Sequence, residues 1–418
     1  MKKISASVKN FGKTNFHALT HKNFRYYWSG QCVSLIGTWM QNIGQSWLVF
    51  TLTGSPFLLG LVGTIQFLPV TVFSLFAGVV VDRFPKKRIL LMTQSISMVL
   101  AFILSFLVFT HKVRYEHILI LALLLGFTNT LDMPTRQTFI VEVVGKKDLM
   151  NAIALNSATF NLARILGPAV GAVLMSKLGA AWCFLLNGLS FVAVIFGLLH
   201  IEPIPYVRKD NDKGKIIDEI KDGLKYIYKT PILFKTVLMV TVMGIFAFNY
   251  NVLLPVFTKN VLHQSEGTYG FLMSSLGIGS LVGALTVSLK SKSGPRTRIL
   301  IMSSIIVSIL LVCTGLSRYQ YLTALTLAAT GIFNIYFSTT ANSTLQINSE
   351  DKYRGRVMSV YALVFAGSTP VGNFFSGTTA DKLGAAWAFI VSGIIIMVSI
   401  TILTMLLKSE NKEKPRLV

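Results

Sequence analysis

The sequence predicts an all-α polytopic membrane protein, twelve transmembrane helices in two pseudo-symmetric six-helix bundles, on three observations. Hydrophobic residues fill 52% of the 418 positions and charged residues only 13%, with a mean hydropathy of +0.61, far from the balance of a soluble domain. Between Arg25 and Asp82 there is no Asp, Glu, Lys or Arg, enough chain to cross a bilayer twice at about 20 residues per crossing. The words LGAAWCFLLNG at 178–188 and LGAAWAFIVSG at 383–393 agree at seven of eleven positions, an offset of 205.

Taken in order, the first apolar length is divided by the turn-forming TLTGSP at 51–56 into spans at 24–50 and 57–80. The same test of apolar length places spans at 88–110, 117–137, 150–176, 181–201, 232–258, 268–289, 297–317, 319–345, 355–380 and 385–407. All are expected to be helices, because lipid-exposed backbone must satisfy its own hydrogen bonds and the dyad alternation of a barrel is missing. Gly126/Gly331, Asn129/Asn334 and Lys147/Lys352 share the offset of 205, and RILLM at 88–92 returns as RILIM at 298–302. One short apolar word recurs by chance in a membrane protein; several in the same order place the first six spans on the last six in the same orientation. The organisation implied is a tail at 1–23, a bundle at 24–201, a linker at 202–231, a bundle at 232–407 and a tail at 408–418.

The net charge of +22 is explained by its distribution. Of 39 lysines and arginines, 32 fall in the two tails and in the loops after every second span, and six in the opposite loops. This is the positive-inside pattern, with both termini and the linker cytoplasmic in a multi-pass protein of the cell membrane; nucleic acid is not implied. Within the linker, KIIDEIKDGLKYIYK sets Ile216, Ile220, Leu224 and Ile227 on one helical face, which reads as a segment lying on anionic lipid headgroups or as a partner site. The N-terminal stretch is basic and polar without an apolar core, so no cleaved signal peptide is expected, although its few hydrophobic residues allow an interfacial helix. Cys32, Cys183 and Cys313 are scattered, and His17 and His21, four apart, lack a third ligand; no metal site is expected, and the histidines read as solvated tail. No GxxxxGK[ST] loop is present to support direct ATP drive.

Polar residues inside the spans mark either a cavity or interhelical hydrogen bonds. Ser34, Thr38, Gln41 and Gln45 recur at i, i+4, i+7 and i+11 with Asn42 beside them. Asn129, Asp132 and Arg136 follow in the fourth span, Asn249, Tyr250 and Asn251 in the seventh, Asn334, Ser338 and Asn342 in the tenth, and Arg164 stands alone inside the fifth. Asp132, the one acid within the spans, is the proton-coupling candidate; Arg136 at i+4 offers a structural ion pair instead. An enzyme would need convergent acids, His or Cys inside the spans, and only Asp132 and Arg164 lie away from the edges, so no enzyme is expected.

Two further words carry geometry. In GVVVDRFPKKR at 78–88, Gly78 permits close helix approach, Asp82 sits at a helix end, and Arg83, Lys86, Lys87 and Arg88 meet lipid or neighbouring loops. In ARILGPAVG, Gly167, Pro168 and Gly171 kink a helix and admit a close neighbour. The first word resembles the signature between the second and third helices of the major facilitator superfamily. Together with MPTRQTFIVEVV, NAIALNSATFNLARILGPAVG and YRGRVMSVY, it makes nearly the whole chain similar to the bacterial drug:proton antiporter branch, which includes the enterobactin exporter and macrolide efflux proteins. Pro85 departs from the usual glycine, and the second half keeps Gly283 and the basic residues but has no counterpart of Asp82. The resemblance implies a secondary transporter that exports a small organic molecule by alternating access, with no bound cofactor, the proton gradient as energy source, and activity as a monomer. An importer or uniporter of the same superfamily is the alternative, while a receptor leaves the duplication unexplained. It further implies that spans 1, 4, 7 and 10 line the substrate cavity, and that Asp82 docks at the helix end carrying Arg354 and Arg356.

Overall fold

A computed structural model of the chain describes residues 17–202, 216–290 and 297–413. After a 3₁₀ turn at His17–Thr20 come α1 (Lys22–Thr53), α2 (Pro56–Arg83), α3 (Lys86–Phe109), α4 (Tyr115–Leu178), α5 (Ala180–Leu199), α6 (Ile216–Lys229), α7 (Pro231–Phe246), α8 (Tyr250–Asn260), α9 (Glu266–Lys290), α10 (Thr297–Leu316), α11 (Gln320–Ile347), α12 (Asp351–Leu383) and α13 (Ala385–Glu413). The described residues before 24 show a short turn and the start of α1. The expected interfacial segment before 17, the linker from 203 to 215 and the end of the C-terminal tail lie outside the described residues.

Among the described residues, ten helical lengths are long and apolar enough to cross a membrane. One, α4, runs for 64 residues and holds a break at Gly145 (φ 69°, ψ 175°), between the predicted spans 117–137 and 150–176. Only glycine enters that backbone region at little cost. Another, Pro231–Asn260, is interrupted between α7 and α8 at Ala247–Asn249. The 32-residue α1 is long enough, but its Ser, Thr, Gln and Asn side chains leave it too polar to be among the ten.

Contacts gather the chain into two compact units, Met1–Gln45 with Val72–Asn211, and Ser46–Thr71 with Asp212–Val418. In the first, Phe24, Tyr27, Leu90, Phe139, Val194 and Leu198 form a buried cluster. Helix α1 closes on α5 through small residues: a Cβ at Gly30 would stand 2.9 Å from the Ala193 carbonyl oxygen. In the second, the N-terminal part of α2 lies on α12, where Ser55 Oγ donates to Asp381 Oδ1 at 2.9 Å and a Cβ at Gly60 would meet the Asn373 carbonyl oxygen at 2.5 Å.

The repeated word has one backbone solution in both places. Gly179 (φ 93°, ψ 163°) ends α4 and Gly384 (φ 87°, ψ 155°) ends α12; each donates its N–H back into the finished helix, to Leu174 and Ala380 respectively, before the next helix starts. Further along, Gly188 packs on the Phe102 ring of α3 and Gly393 on Ser308 and Val312 of α10, so the two copies use the same glycine for the same helix contact.

The linker helix α6 lies on α12. Ile227 is buried with Leu233, Val237, Leu345, Val357 and Val360, Tyr226 stacks on Tyr353 at 4.3 Å, and Arg356 Nη1 donates to Asp222 Oδ2 at 3.3 Å. Leu224, expected on the apolar face with Ile227, is exposed instead. The contact runs through Gly223, Tyr226 and Ile227, which turns Leu224 outward. The side chains of Ile216 and Ile220 lie outside the described residues.

Candidate functional site

Asp132 stands in a buried network of the first unit. Thr93 Oγ1 and Gln94 Nε2 on α3 donate to its Oδ1 at 2.7 and 2.8 Å. Arg136, one turn on, donates from Nε to Oδ2 and from Nη1 to Gln31 Oε1 on α1. The Asp132 side chain is 8% exposed and that of Arg136 23%. All these contacts to Asp132 are donors, the arrangement of a structural ion pair. Sequence pattern alone does not single out Thr93, Gln94 or Gln31. The available signals are the adjacent polar pair in an otherwise apolar α3, and the position of Gln31 three residues before Ser34 on the same stripe.

The α1 stripe divides between two environments. Ser34 and Gln41 are buried; Asn187 Nδ2 of α5 donates to Gln41 Oε1 at 2.7 Å, and Gly37, between them, closes on Asn187 and Ser190. Gln41 thus binds helix to helix, and the buried Ser34 lies on the same edge of the stripe, which corrects the expectation that the whole stripe faces a cavity. Thr38, Asn42 and Gln45 are half-buried on its other edge, as is Asn129 on α4. In the second half of α4, Asn161 Nδ2 donates to the Ser157 carbonyl at 2.8 Å and Arg164 Nη2 to Asn161 Oδ1 at 3.3 Å. On an adjoining face of the same helix, Gly167, Pro168 and Gly171 are buried, and a Cβ at Gly171 would stand 2.9 Å from Ile43 Cδ1 of α1.

In the second unit the helix interruption falls at Asn249. It caps α8, and its Nδ2 donates to the Ile245 carbonyl at 2.5 Å. The next residue, Tyr250, accepts from Asn334 Nδ2 of α11 at 3.0 Å through its hydroxyl. Oδ1 of Asn251 and Oδ1 of Asn334 are buried and accept no hydrogen bond. A break inside an apolar length, with open acceptors beside it, is suited to a polar solute. Asn342 lies two turns further along α11, about 12 Å, and pairs instead with Gln346 Nε2 at 2.5 Å.

The basic word after α2 is only partly as expected. Among the described residues no atom lies within 4 Å of a Cβ placed at Gly78, whereas Gly283, 205 residues on, faces the Ile332 carbonyl oxygen at 2.8 Å. Close approach is thus at Gly283, where the counterpart of Asp82 is missing. Asp82 is half-buried, Arg83 and Arg88 are exposed, and Pro85 caps α3. Lys86 pairs with Glu142 at 3.1 Å, and Lys87 Nζ donates to the Ile201 carbonyl at 2.8 Å, just past the end of α5, where a cation complements the helix dipole. Arg354 pairs with Asp351 at 2.7 Å and donates to the Gln346 carbonyl, and Arg356 is taken by Asp222, so both arginines are engaged locally.

His21 is no solvated tail residue. Its Nε2 lies 2.7 Å from Asp148 Oδ2, while the Ala18 amide donates to Asn151 Oδ1 at 3.0 Å. The hydrogen bond from His21 holds the Asp148 carboxyl below its usual range. Among the described residues no three His, Cys, Asp or Glu converge on a metal-sized site.

A family model described as transmembrane secretion effector matches residues 13–416. The staphyloferrin A transporter of Staphylococcus aureus (strain NCTC 8325 / PS 47) is 26% identical over 88% of this chain and 92% of its own length. Macrolide efflux protein A of Streptococcus pyogenes is 23% identical over 90% and 93%, and the enterobactin exporter EntS of Shigella boydii serotype 4 (strain Sb227) 23% over 88% and 84%. The fold matches that of the nucleoside transporter NupG, with a TM-score of 0.72 at 14% identity over 94% of this chain and 99% of that one. It also matches an occupied bacterial homologue of the lysosomal transporter Spinster, with a TM-score of 0.73 at 11% identity over 94% and 98%. A family match that begins before α1 and ends past α13 takes in both broken spans and the polar residues beside them: the chain is a membrane transporter and belongs to the transmembrane secretion effector family of the major facilitator superfamily.

Proposed function

We propose that this transporter exports a small organic molecule across the cell membrane by alternating access, driven by the proton gradient. The observation that carries the reading is the interruption at Ala247–Asn249 inside the apolar length Pro231–Asn260, with Asn251 and Asn334 holding buried, unused acceptor oxygens beside it. Unwound backbone at that depth is tolerated where it is buried in protein or lines a water-filled cavity, and the unused acceptors favour the second. Export rather than import rests on the relatives named for efflux. Twelve spans follow when α1 is counted as a crossing and α4 as two, and the distribution of lysine and arginine puts both termini in the cytoplasm. No bound cofactor is required, the monomer is the working unit, and the exposed basic residues Arg83 and Arg88 meet anionic headgroups.

Transport into inverted membrane vesicles tests this, with a panel of siderophores, macrolides and dyes and the proton gradient intact or collapsed. Accumulation of a panel member that disappears with the gradient and with Asn334→Leu is expected. Accumulation that survives collapse of the gradient refutes proton drive, and uptake only into right-side-out vesicles refutes export.

A further inference from the structure

Helix α6 ends at Lys229 and α7 begins at Pro231, so the single residue Thr230 joins the linker helix to an apolar length that crosses the bilayer. The Thr230 amide donates back to the Tyr226 and Ile227 carbonyls at 3.1 Å, which finishes α6 just before the span begins. The C-terminal end of α6 is therefore at headgroup depth. One edge of the helix packs on the first turns of α12 through Gly223, Tyr226 and Ile227. Beside Ile227, Leu224 and Tyr228 stand four residues apart and are 50% and 73% exposed. Lys221, Lys225 and Lys229, also four apart, follow them around the helix and are exposed. The order around α6 is thus a protein-covered edge, an exposed apolar strip and a row of lysines. Between 221 and 229 the one acid, Asp222, is engaged by Arg356. The Tyr228 ring meets that of Phe234, the fourth residue of α7, edge-on at 5.4 Å, so the strip opens on the side where the span enters hydrocarbon.

We infer that the exposed face of α6 is a docking site for anionic phospholipid, with Leu224 and Tyr228 set into the boundary between headgroups and acyl chains and Lys221, Lys225 and Lys229 holding the phosphates. This rests on the cytoplasmic placement of the linker proposed above, and is independent of what is carried and in which direction. A leucine and a tyrosine beside the interface leave water when they enter it, and tyrosine favours that depth because its ring is apolar and its hydroxyl is not. Each lysine close to an anionic surface adds about fivefold to association. Lipid fits this face better than a protein partner does. The strip is continuous with the side of α7 that Phe234 shares, and two apolar side chains are far short of the core of a protein interface.

Photolabelling of the full-length protein in phosphatidylcholine vesicles tests the site without gradient or substrate. A trace of phospholipid with a diazirine high in its acyl chain is added, carrying either a phosphatidylglycerol or a phosphatidylcholine headgroup, and mass spectrometry of the digested protein locates the adducts. The glycerol probe should label Leu224 and Tyr228 about fivefold more than the choline probe. The triple variant Lys221→Gln, Lys225→Gln and Lys229→Gln should bring the two probes level. Adducts at Met302 and Ile309, exposed on α10, should be unchanged in that variant and report that it still spans the bilayer. Equal labelling of α6 by the two headgroups in the parent, or a glycerol preference that survives in the triple variant, overturns the assignment. Labelling of Leu224 and Tyr228 by a water-soluble diazirine and by neither lipid also overturns it, and gives the face to a soluble partner. A glycerol preference in a protein that fails to transport in inverted vesicles would count against the export reading and leave this one standing.

Discussion

Asparagine at position 132 separates two roles for the acid in α4. The substitution keeps the volume and leaves Oδ1 able to accept from Thr93 and Gln94, but turns an amide donor toward Arg136 Nε. The guanidinium, 23% exposed, loses its carboxylate and keeps Gln31. Removing one partner of a buried ion pair costs about 3–5 kcal/mol. The partial exposure and the surviving Gln31 bond put this site at the low end, about 3 kcal/mol. At roughly 2–4 °C per kcal/mol for units of this size, the apparent melting temperature should fall by about 6–12 °C. Thermal denaturation of the purified full-length protein, followed by size-exclusion chromatography of the surviving fraction, measures it. Asp132→Asn combined with Arg136→Gln should recover most of the loss, since neither charge is then stranded. Were Asp132 the carrier of the coupling proton, the single variant would melt as the wild type does, bind substrate and lose gradient-driven movement. That result refutes the structural assignment.

Other substitutions follow from the same contacts. Gly279→Ala sets its Cβ onto the Ala328 carbonyl and should abolish folded protein, whereas Gly78→Ala, with no atom within 4 Å, should melt within a degree or two of wild type; equal behaviour of the two by detergent-phase chromatography would refute the contrast. Gln41→Leu leaves Asn187 Nδ2 without its acceptor and should cost about 1 kcal/mol of stability with substrate affinity unchanged, measured by melting and binding together; a lost affinity at wild-type stability would return Gln41 to the cavity. Asp148, its carboxyl held below the usual range by the His21 hydrogen bond, is the depressed case: the contact is complete above the ordinary carboxylate pKa and is lost as pH falls through the lowered value. Anisotropy of a fluorophore at Thr20→Cys should therefore drop at acid pH in the parent and be low at every pH with Asp148→Asn; an acid drop persisting in that variant would place the titration elsewhere.

How much of this was readable from residues alone depends on whether the neighbour is local. TLTGSP and KLGAAW were readable, because a turn or helix stop is decided by a few adjacent residues: Gly54, Gly179 and Gly384 all take positive φ. The Asp132–Arg136 pair was readable because i and i+4 meet on any helix. Gly78 was not. A glycine in a span allows a close neighbour without requiring one, and whether a helix comes near is settled by tertiary contacts absent from the motif. Gly283 has that neighbour in Ile332, although the acid that completed the motif is gone. The interruption at Ala247–Asn249 was invisible to hydropathy, which averages over the whole span, although Asn-Tyr-Asn in an apolar run is the trace it leaves.

The α1 stripe makes clear why period alone does not assign polar residues in a membrane helix. Ser34, Thr38, Gln41 and Gln45 share one face by spacing, yet the stripe is wide enough to straddle the edge of a helix contact, and α5 covers only half of it. What assigns a polar residue is where its hydrogen bonds go. Where a side chain spends it on a neighbouring helix, as Gln41 does on Asn187, the residue is holding the fold together. Where buried oxygens stay open next to a broken helix, as at Asn251 and Asn334, the desolvation penalty goes uncompensated until something donates to them. Inside a bilayer the available donors are water and the molecule being carried. A substrate that offers hydroxyl or N–H groups to these oxygens would meet that demand.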